Sequence, residues 1–105
     1  MAKVFVDGRN VQRSQWPNLS DEELVDGVRA WAGRHGHEAV IVFDGEAPAG
    51  AIGSGRESAD DWLIREVPKH PGAWLVTSDR ALRDEAGKEA ERLIGGGAFL
   101  AQLEK

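Results

Sequence analysis

Three apolar runs in this chain of 105 residues each end in an aspartate, and no other feature constrains the fold as much. They are Val4-Phe5-Val6-Asp7, Val40-Ile41-Val42-Phe43-Asp44 and Leu75-Val76-Thr77-Ser78-Asp79. The middle one is apolar from Ala39 to Phe43, the pattern of a strand covered on both faces. The first, Lys3–Val6, is short, β-branched and aromatic. The third, Ala73–Thr77, is entered through the Pro71-Gly72 turn signal.

Helical patterns fill the intervals. Ser20-Asp21-Glu22-Glu23 reads as a capping box, after which Leu24, Val25, Val28, Trp31 and Ala32 share one helix face. Gly33 and Gly36 are expected to stop that helix before the second strand. A second helix opens near Ser58, with Ala59, Trp62, Leu63 and Val67 on one face, and Pro68 ends it. A third, exposed and charge-rich, spans Asp79 to about Ala90. Arg92-Leu93-Ile94 supplies a short fourth strand, and Gly95-Gly96-Gly97 precedes a last helical stretch, Ala98–Leu103. Strands alternating with helices build βαβ units, hence a parallel sheet with right-handed crossovers. The expectation is one α/β domain over residues 1–105, with a central, mainly parallel sheet of about four strands. Gly45–Gly55, rich in Gly, Ala and Pro, shows no pattern and reads as a mobile loop.

Cys is absent, which removes disulfides and thiolate metal sites from consideration. No apolar run approaches the roughly 20 residues that cross a bilayer. The opening Met1-Ala2-Lys3-Val4-Phe5-Val6-Asp7 meets an acid too early for a secretory signal, so a cytoplasmic location is expected. The net charge of −5 speaks against a polyanionic partner only if the acids are spread evenly. With Asp7, Asp44, Asp60, Asp61 and Asp79 set aside, 13 acidic residues face 13 basic ones.

Those five acids are expected to converge. Strands of a parallel sheet end along one edge, and ligands bind in the crevice there. Asp60 and Asp61 fall in the first turn of a helix that starts near the same edge. Carboxylates gathered in one crevice repel unless a cation neutralises them, and an all-oxygen donor set suits Mg²⁺ or Mn²⁺. Each piece also has a plainer reading. Asp7-Gly8 and Asp44-Gly45 are hairpin-turn signals, Ser58-Ala59-Asp60-Asp61 is a capping motif, and Asp79 is a helix N-terminal acid. A hairpin, however, needs a strand immediately afterwards, and polar sequence follows in both cases.

Val6-Asp7-Gly8-Arg9-Asn10-Val11, Val42-Phe43-Asp44-Gly45, Ser58-Ala59-Asp60-Asp61-Trp62-Leu63-Ile64 and Val76-Thr77-Ser78-Asp79 resemble, in the same order, the motifs of the NYN domains. These are PIN-like metal-dependent ribonucleases, and the YacP-like group is the nearest in pattern; Gly97-Ala98-Phe99-Leu100 resembles its C-terminal motif. The resemblance implies a three-layer PIN-like fold and Mg²⁺- or Mn²⁺-dependent hydrolysis of phosphodiester bonds in single-stranded RNA. It implies that Asp7, Asp60, Asp61 and Asp79 are catalytic and that they hold metal together with Asp44. Asn10 and Ser78 take supporting places. RNA is the implied partner, with the ribosome or a messenger RNA among the candidates and no membrane; monomer and homodimer both stay open. The chain is shorter than typical members between Asp44 and Ser58.

Arg9, Arg13, Arg56 and Arg80, joined by Arg83, would ring the acidic edge and grip phosphates. Trp16, in a polar segment before Pro17, either stacks on an unpaired base or folds back as a lid on the core, and the lid is the expectation. Trp31, Trp62 and Trp74 fit structural positions. His35, His37 and His70 lie where a general base is not needed and are expected to be solvated surface groups. Other classes fit less well. A receiver-like phosphoacceptor wants adjacent acids after the first strand and a late Lys, and an adhesion-type metal site wants Asp-x-Ser-x-Ser; neither pattern is present. A non-catalytic RNA- or protein-binding module on the same fold is the alternative, and the complete acid set weighs against it.

Overall fold

The computed structural model describes residues 1–103. In chain order the elements are β1 (Lys3–Asp7), α1 (Gly8–Gln12), α2 (Asp21–His35), β2 (Glu38–Phe43), β3 (Ile52–Gly53), α3 (Ala59–Glu66), β4 (Trp74–Val76), α4 (Arg80–Ala86), β5 (Arg92–Ile94) and α5 (Gly96–Leu103). Single 3₁₀ turns prolong α3 over Val67–Lys69 and α4 over Gly87–Glu89.

All pairings are parallel, in the order β3-β2-β1-β4-β5. The sheet therefore has five strands rather than about four. The additional one, β3, lies within Gly45–Gly55, so that segment is not the patternless loop its composition suggested. Two residues are too few to show a periodicity: Val42 pairs with Ile52 and Phe43 with Gly53. Hydrogen bonds from Ser54 then close the segment. Ser54 donates its N–H to the Phe43 carbonyl at 2.9 Å, and its hydroxyl bridges the Gly45 N–H and the Glu57 carbonyl. Gly53 is required there, because a Cβ would collide with the Gly45 carbonyl oxygen.

Local chemistry explains the helices. Ser20 accepts from Glu23 N–H while Glu23 accepts from Ser20 N–H, the reciprocal capping box the residues predicted. The helix runs through Gly33 and stops at Gly36, whose left-handed conformation (φ 68°) closes it. Ser58 caps α3 by accepting from Asp61 N–H. The segment after β1 forms a helix at once, the five-residue α1, where the sequence showed only polar loop.

Two apolar clusters lie on opposite sides of the sheet, which makes the three layers. On one, Val4, Val6, Ile41, Phe43 and Val76 meet Leu24, Val25, Val28 and Trp31 of α2 and Phe99 and Leu100 of α5. On the other, Phe5, Val42 and Leu75 meet Ala59 and Leu63 of α3 and Leu82 and Ala86 of α4. Because side chains alternate across a strand, both covered faces demand the unbroken apolar runs seen in the sequence.

Three aromatic expectations need correction. Trp16 is no lid: 89% of it is exposed, because Leu19 rather than Trp16 tucks against the core. His37 is half-buried, with its ring 4.6 Å from Trp74 and 5.4 Å from Trp31, and its Nδ1 accepts from Ala2 N–H at 3.0 Å. Removal from water holds its pKa below the usual imidazole value. His70 packs against Phe5 with centroids 5.4 Å apart. Aromatic stacking, which charge patterns do not report, accounts for both histidines. Trp31, Trp62 and Trp74 are structural as expected; Trp31 meets Phe99 edge-on at 4.9 Å. Among the described residues, no helix is long and apolar enough to cross a membrane.

Candidate active site

The strand order reverses at β1, since the chain moves outward to β2 and β3 and then returns to β1's other side with β4. Open parallel sheets offer their ligand crevice at such a reversal, beyond the carboxyl ends of the strands. Asp7 closes β1 and Asp79 follows β4 across that boundary.

A cavity of about 220 Å³ opens at this place, lined by Asp7, Arg9, Asn10, Arg13, Asp44, Ser58, Asp60 and Asp79. Four carboxylates thus arrive from four segments: the ends of β1 and β2, the first turn of α3 and the start of α4. Asp61, also in the first turn of α3, is exposed and does not line the cavity; its charge is still felt by Asp60. Among the arginines, Arg9 and the exposed Arg13 line the cavity, whereas Arg56 and Arg80, also exposed, lie outside its lining.

Each acid has an architectural tie. Asp44 Oδ1 accepts from Ala59 N–H at 2.7 Å, fastening the start of α3 to the end of β2. Asp79 Oδ1 caps α4 by accepting from Leu82 N–H at 2.9 Å. Asp7 stands at the N-cap of α1 without making a side-chain cap bond; its Oδ2 instead accepts from the Thr77 hydroxyl at 3.0 Å. The helix N-terminal reading of Asp79 is therefore correct for one of its oxygens, whereas the hairpin readings fail: a helix follows Asp7, and the strand after Asp44 pairs in parallel. Neither reading accounts for the convergence.

Burial first, and the nearness of the other acids after it, shapes the electrostatics of the site. Asp7 is only 5% exposed, and burial pushes its carboxyl up to about 6, assisted by Asp60 and Asp44 and opposed by the Thr77 hydroxyl. Asp60 is raised too, by burial first and then by Asp79, Asp44 and Asp61. A hard divalent cation would relieve this repulsion, and the carboxylate donors are of the oxygen type that suits Mg²⁺ or Mn²⁺. Among the described residues, no three acidic or histidine side chains are drawn together closely enough to hold an ion as they stand.

Supporting contacts tie the loops of the site to one another. Asn10 Oδ1 accepts from Ser78 N–H at 2.8 Å, and Ser78 Oγ accepts from Gly96 N–H at 2.8 Å. The chain ends leaving β1, β4 and β5 are fixed together through these two residues. Two positions went unremarked in the sequence. Thr77, fully buried, donates to Asp7 and accepts from Asp79 N–H at 3.1 Å, so one hydroxyl joins both strand-end acids. A hydroxyl closing an otherwise apolar strand is the signal that would have found it. Gln12, also buried, donates to the Leu19 carbonyl and to Asp21, while Arg9 Nη1 donates to Asp21 at 2.7 Å and to Gln12 at 2.9 Å. The Arg9 guanidinium lies over the Phe43 ring, 4.8 Å from its centre.

The class that this fold defines is the one shared with two solved structures. The chain is similar to a point mutant of Rae1 (YacP) from Bacillus subtilis, with a TM-score of 0.81 and 19% identity over 99% of this chain and 76% of that one. It is likewise similar to Rae1 (YacP) itself, with a TM-score of 0.74 and 18% identity over 99% of this chain and 74% of that one. No family model and no curated protein matches the chain. The likeness thus supports a YacP-like fold, in agreement with the motif resemblance.

Proposed function

We propose that this chain is a metal-dependent endoribonuclease acting on single-stranded RNA. The observation that carries the reading is the meeting of Asp7, Asp44, Asp60 and Asp79 at the reversal point of an all-parallel sheet, in a fold shared with YacP. Asp7 is buried and its carboxyl is pushed up, with Asp60 and Asp44 adding to the effect, a cost for which an inert module has no use.

In this reading Asp7, Asp44, Asp60 and Asp79 hold Mg²⁺ or Mn²⁺, with Asp61 beside them on α3. The bound ion supplies Lewis acidity and a water of lowered pKa for in-line displacement at phosphorus. The chain's own residues do the rest. Asp7, kept dry, is oriented by its bond to Thr77. Asn10 and Ser78 hold the loops that carry Asp7 and Asp79 in one arrangement. Arg9, fixed by Asp21 and Gln12, and Arg13 offer guanidinium groups to the phosphates flanking the cut. Arg56 and Arg80, exposed and close in the chain to Ser58 and Asp79, would add further phosphate contacts. The RNA belongs to a messenger or a ribosome-bound species in a cytoplasmic setting.

The test is cleavage of a labelled single-stranded RNA by the purified protein with Mg²⁺ or Mn²⁺. Activity is expected to vanish in EDTA and in Asp7→Asn or Asp79→Asn proteins that keep their fold. Cleavage that survives chelation and both substitutions overturns the proposal.

A further inference from the structure

Trp16 is the one exposed tryptophan or phenylalanine among the described residues. It sits at the tip of the connection from α1 to α2, with nearly nine-tenths of its surface in water. The connection itself is not slack. Gln12 donates across its neck to the Leu19 carbonyl at 3.2 Å and to Asp21 Oδ1 at 2.6 Å, and Arg9 reaches the same Asp21 oxygen. On the incoming side, Ser14 Oγ donates to the Asn10 carbonyl at 3.0 Å and Ser14 N–H to the Val11 carbonyl at 3.1 Å. Leu19 anchors the outgoing side in the core. Both ends are pinned, and the tip between them carries the exposed ring.

Arg13, three residues before the ring, lines the carboxylate cavity. Three residues of chain reach no further than about 10 Å, so the backbone at Trp16 stands within that distance of the backbone at Arg13. An exposed indole on the same connection as a guanidinium that lines an acidic pocket matches a sugar–phosphate chain with unpaired bases. Arg13 takes a phosphate, and the indole takes the face of a base. Stacking needs no particular base, because every base has a π-face.

We infer that Trp16 is a base-stacking platform for single-stranded RNA, holding a nucleotide near the cut while Arg13 holds the backbone. The inference rests on the ribonuclease reading and adds to it a specific binding residue. It also implies a preference for unpaired over duplex RNA, since a base inside a helix has no free face.

The experiment measures binding of a short single-stranded oligoribonucleotide by fluorescence anisotropy, in an Asp79→Asn background that leaves the RNA intact. Trp16→Ala is expected to weaken binding about tenfold, and Trp16→Phe to restore most of it. The thermal midpoint is expected to stay put, because the ring supports nothing in the fold. An oligomer whose bases are replaced by abasic sites is expected to bind equally to the proteins with and without Trp16→Ala, closing the tenfold gap. Undiminished RNA binding in Trp16→Ala overturns the inference and leaves the ring to a protein partner; a gap that persists on the abasic oligomer also overturns it. Cleavage by the protein with Asp79 intact, measured in parallel, separates the two readings. If RNA is cut with equal kcat/KM by the Trp16→Ala protein, stacking alone fails. If RNA is bound through Trp16 but never cut, the nuclease reading fails and the platform stands.

Discussion

Asp7 carries the strongest consequence at the scale of single residues. Its folded pKa of about 6 lies above that of an unfolded aspartate, so between roughly pH 4 and 6 the native state binds more protons than the unfolded state. Stability of the cation-free protein therefore falls as pH rises through that window. The shift corresponds to about 3 kcal/mol. Asp7→Asn removes the charge but keeps the shape and an acceptor for Thr77. It is expected to stabilise the cation-free protein at pH 7.5 by about 1–3 kcal/mol, an advantage that disappears near pH 4, while abolishing cleavage. Urea denaturation at the two pH values checks this. Thr77→Val has the opposite character. It leaves Asp7 Oδ2 and Asp79 N–H without their shared partner, a loss of about 1–3 kcal/mol. It also removes the hydrogen bond that lowers the Asp7 pKa, so the acid limb of the pH–rate profile is expected to move upward. None of this coupling was legible from the strand's residues alone: the sequence marks Asp7 and Asp79 as strand-end acids, but the bond from Asp7 to Thr77 spans 70 positions.

Elements were legible in proportion to their length and their caps. The 15-residue α2 shows a capping box, an apolar stripe and a closing glycine, and its five stripe residues are all buried. Ser20→Ala is expected to cost about 1 kcal/mol, read from the shift in urea midpoint. The short elements left no comparable trace. α1 has five residues and β3 has two, below the length at which either periodicity can be counted. β3 exists because β2 next to it is long enough to template a partner and because Gly53 permits close approach to Gly45. Gly53→Ala is expected to detach this strand, destabilising the protein by about 1–3 kcal/mol. Hydrogen exchange at the Ser54 amide, which bonds to the Phe43 carbonyl, would rise selectively while β1 and β4 stay protected. Uniform protection in the Gly53→Ala protein would contradict that account. The same logic explains the histidines and Trp16: a ring's partners are set by which faces meet in three dimensions, not by its neighbours in the chain.

The whole molecule turns a one-dimensional repetition into a point. Parallel pairing lines up the carboxyl ends of β1, β2 and β4, and the return of the chain across β1 puts the gap between helical layers beside Asp7. That much follows from alternating apolar runs and helices, which is why the convergence of four acids was foreseeable while the outward position of Asp61 was not. Residues 60 and 61 are adjacent in a helix, so about 100° of rotation separates their side chains, and only one faces the cavity. A cluster built at the expense of folding should be repaid by its ligand. Saturating Mn²⁺ at a hundred times its dissociation constant is expected to raise stability by about 2.7 kcal/mol, seen as a higher thermal midpoint. The most direct measurement is the calorimetric titration of Mn²⁺ into the wild-type and Asp7→Asn proteins at pH 7.5. The account predicts saturable binding to the wild type that is lost, or weakened at least tenfold, in Asp7→Asn; equal affinity in the two proteins, or no binding to either, would contradict it.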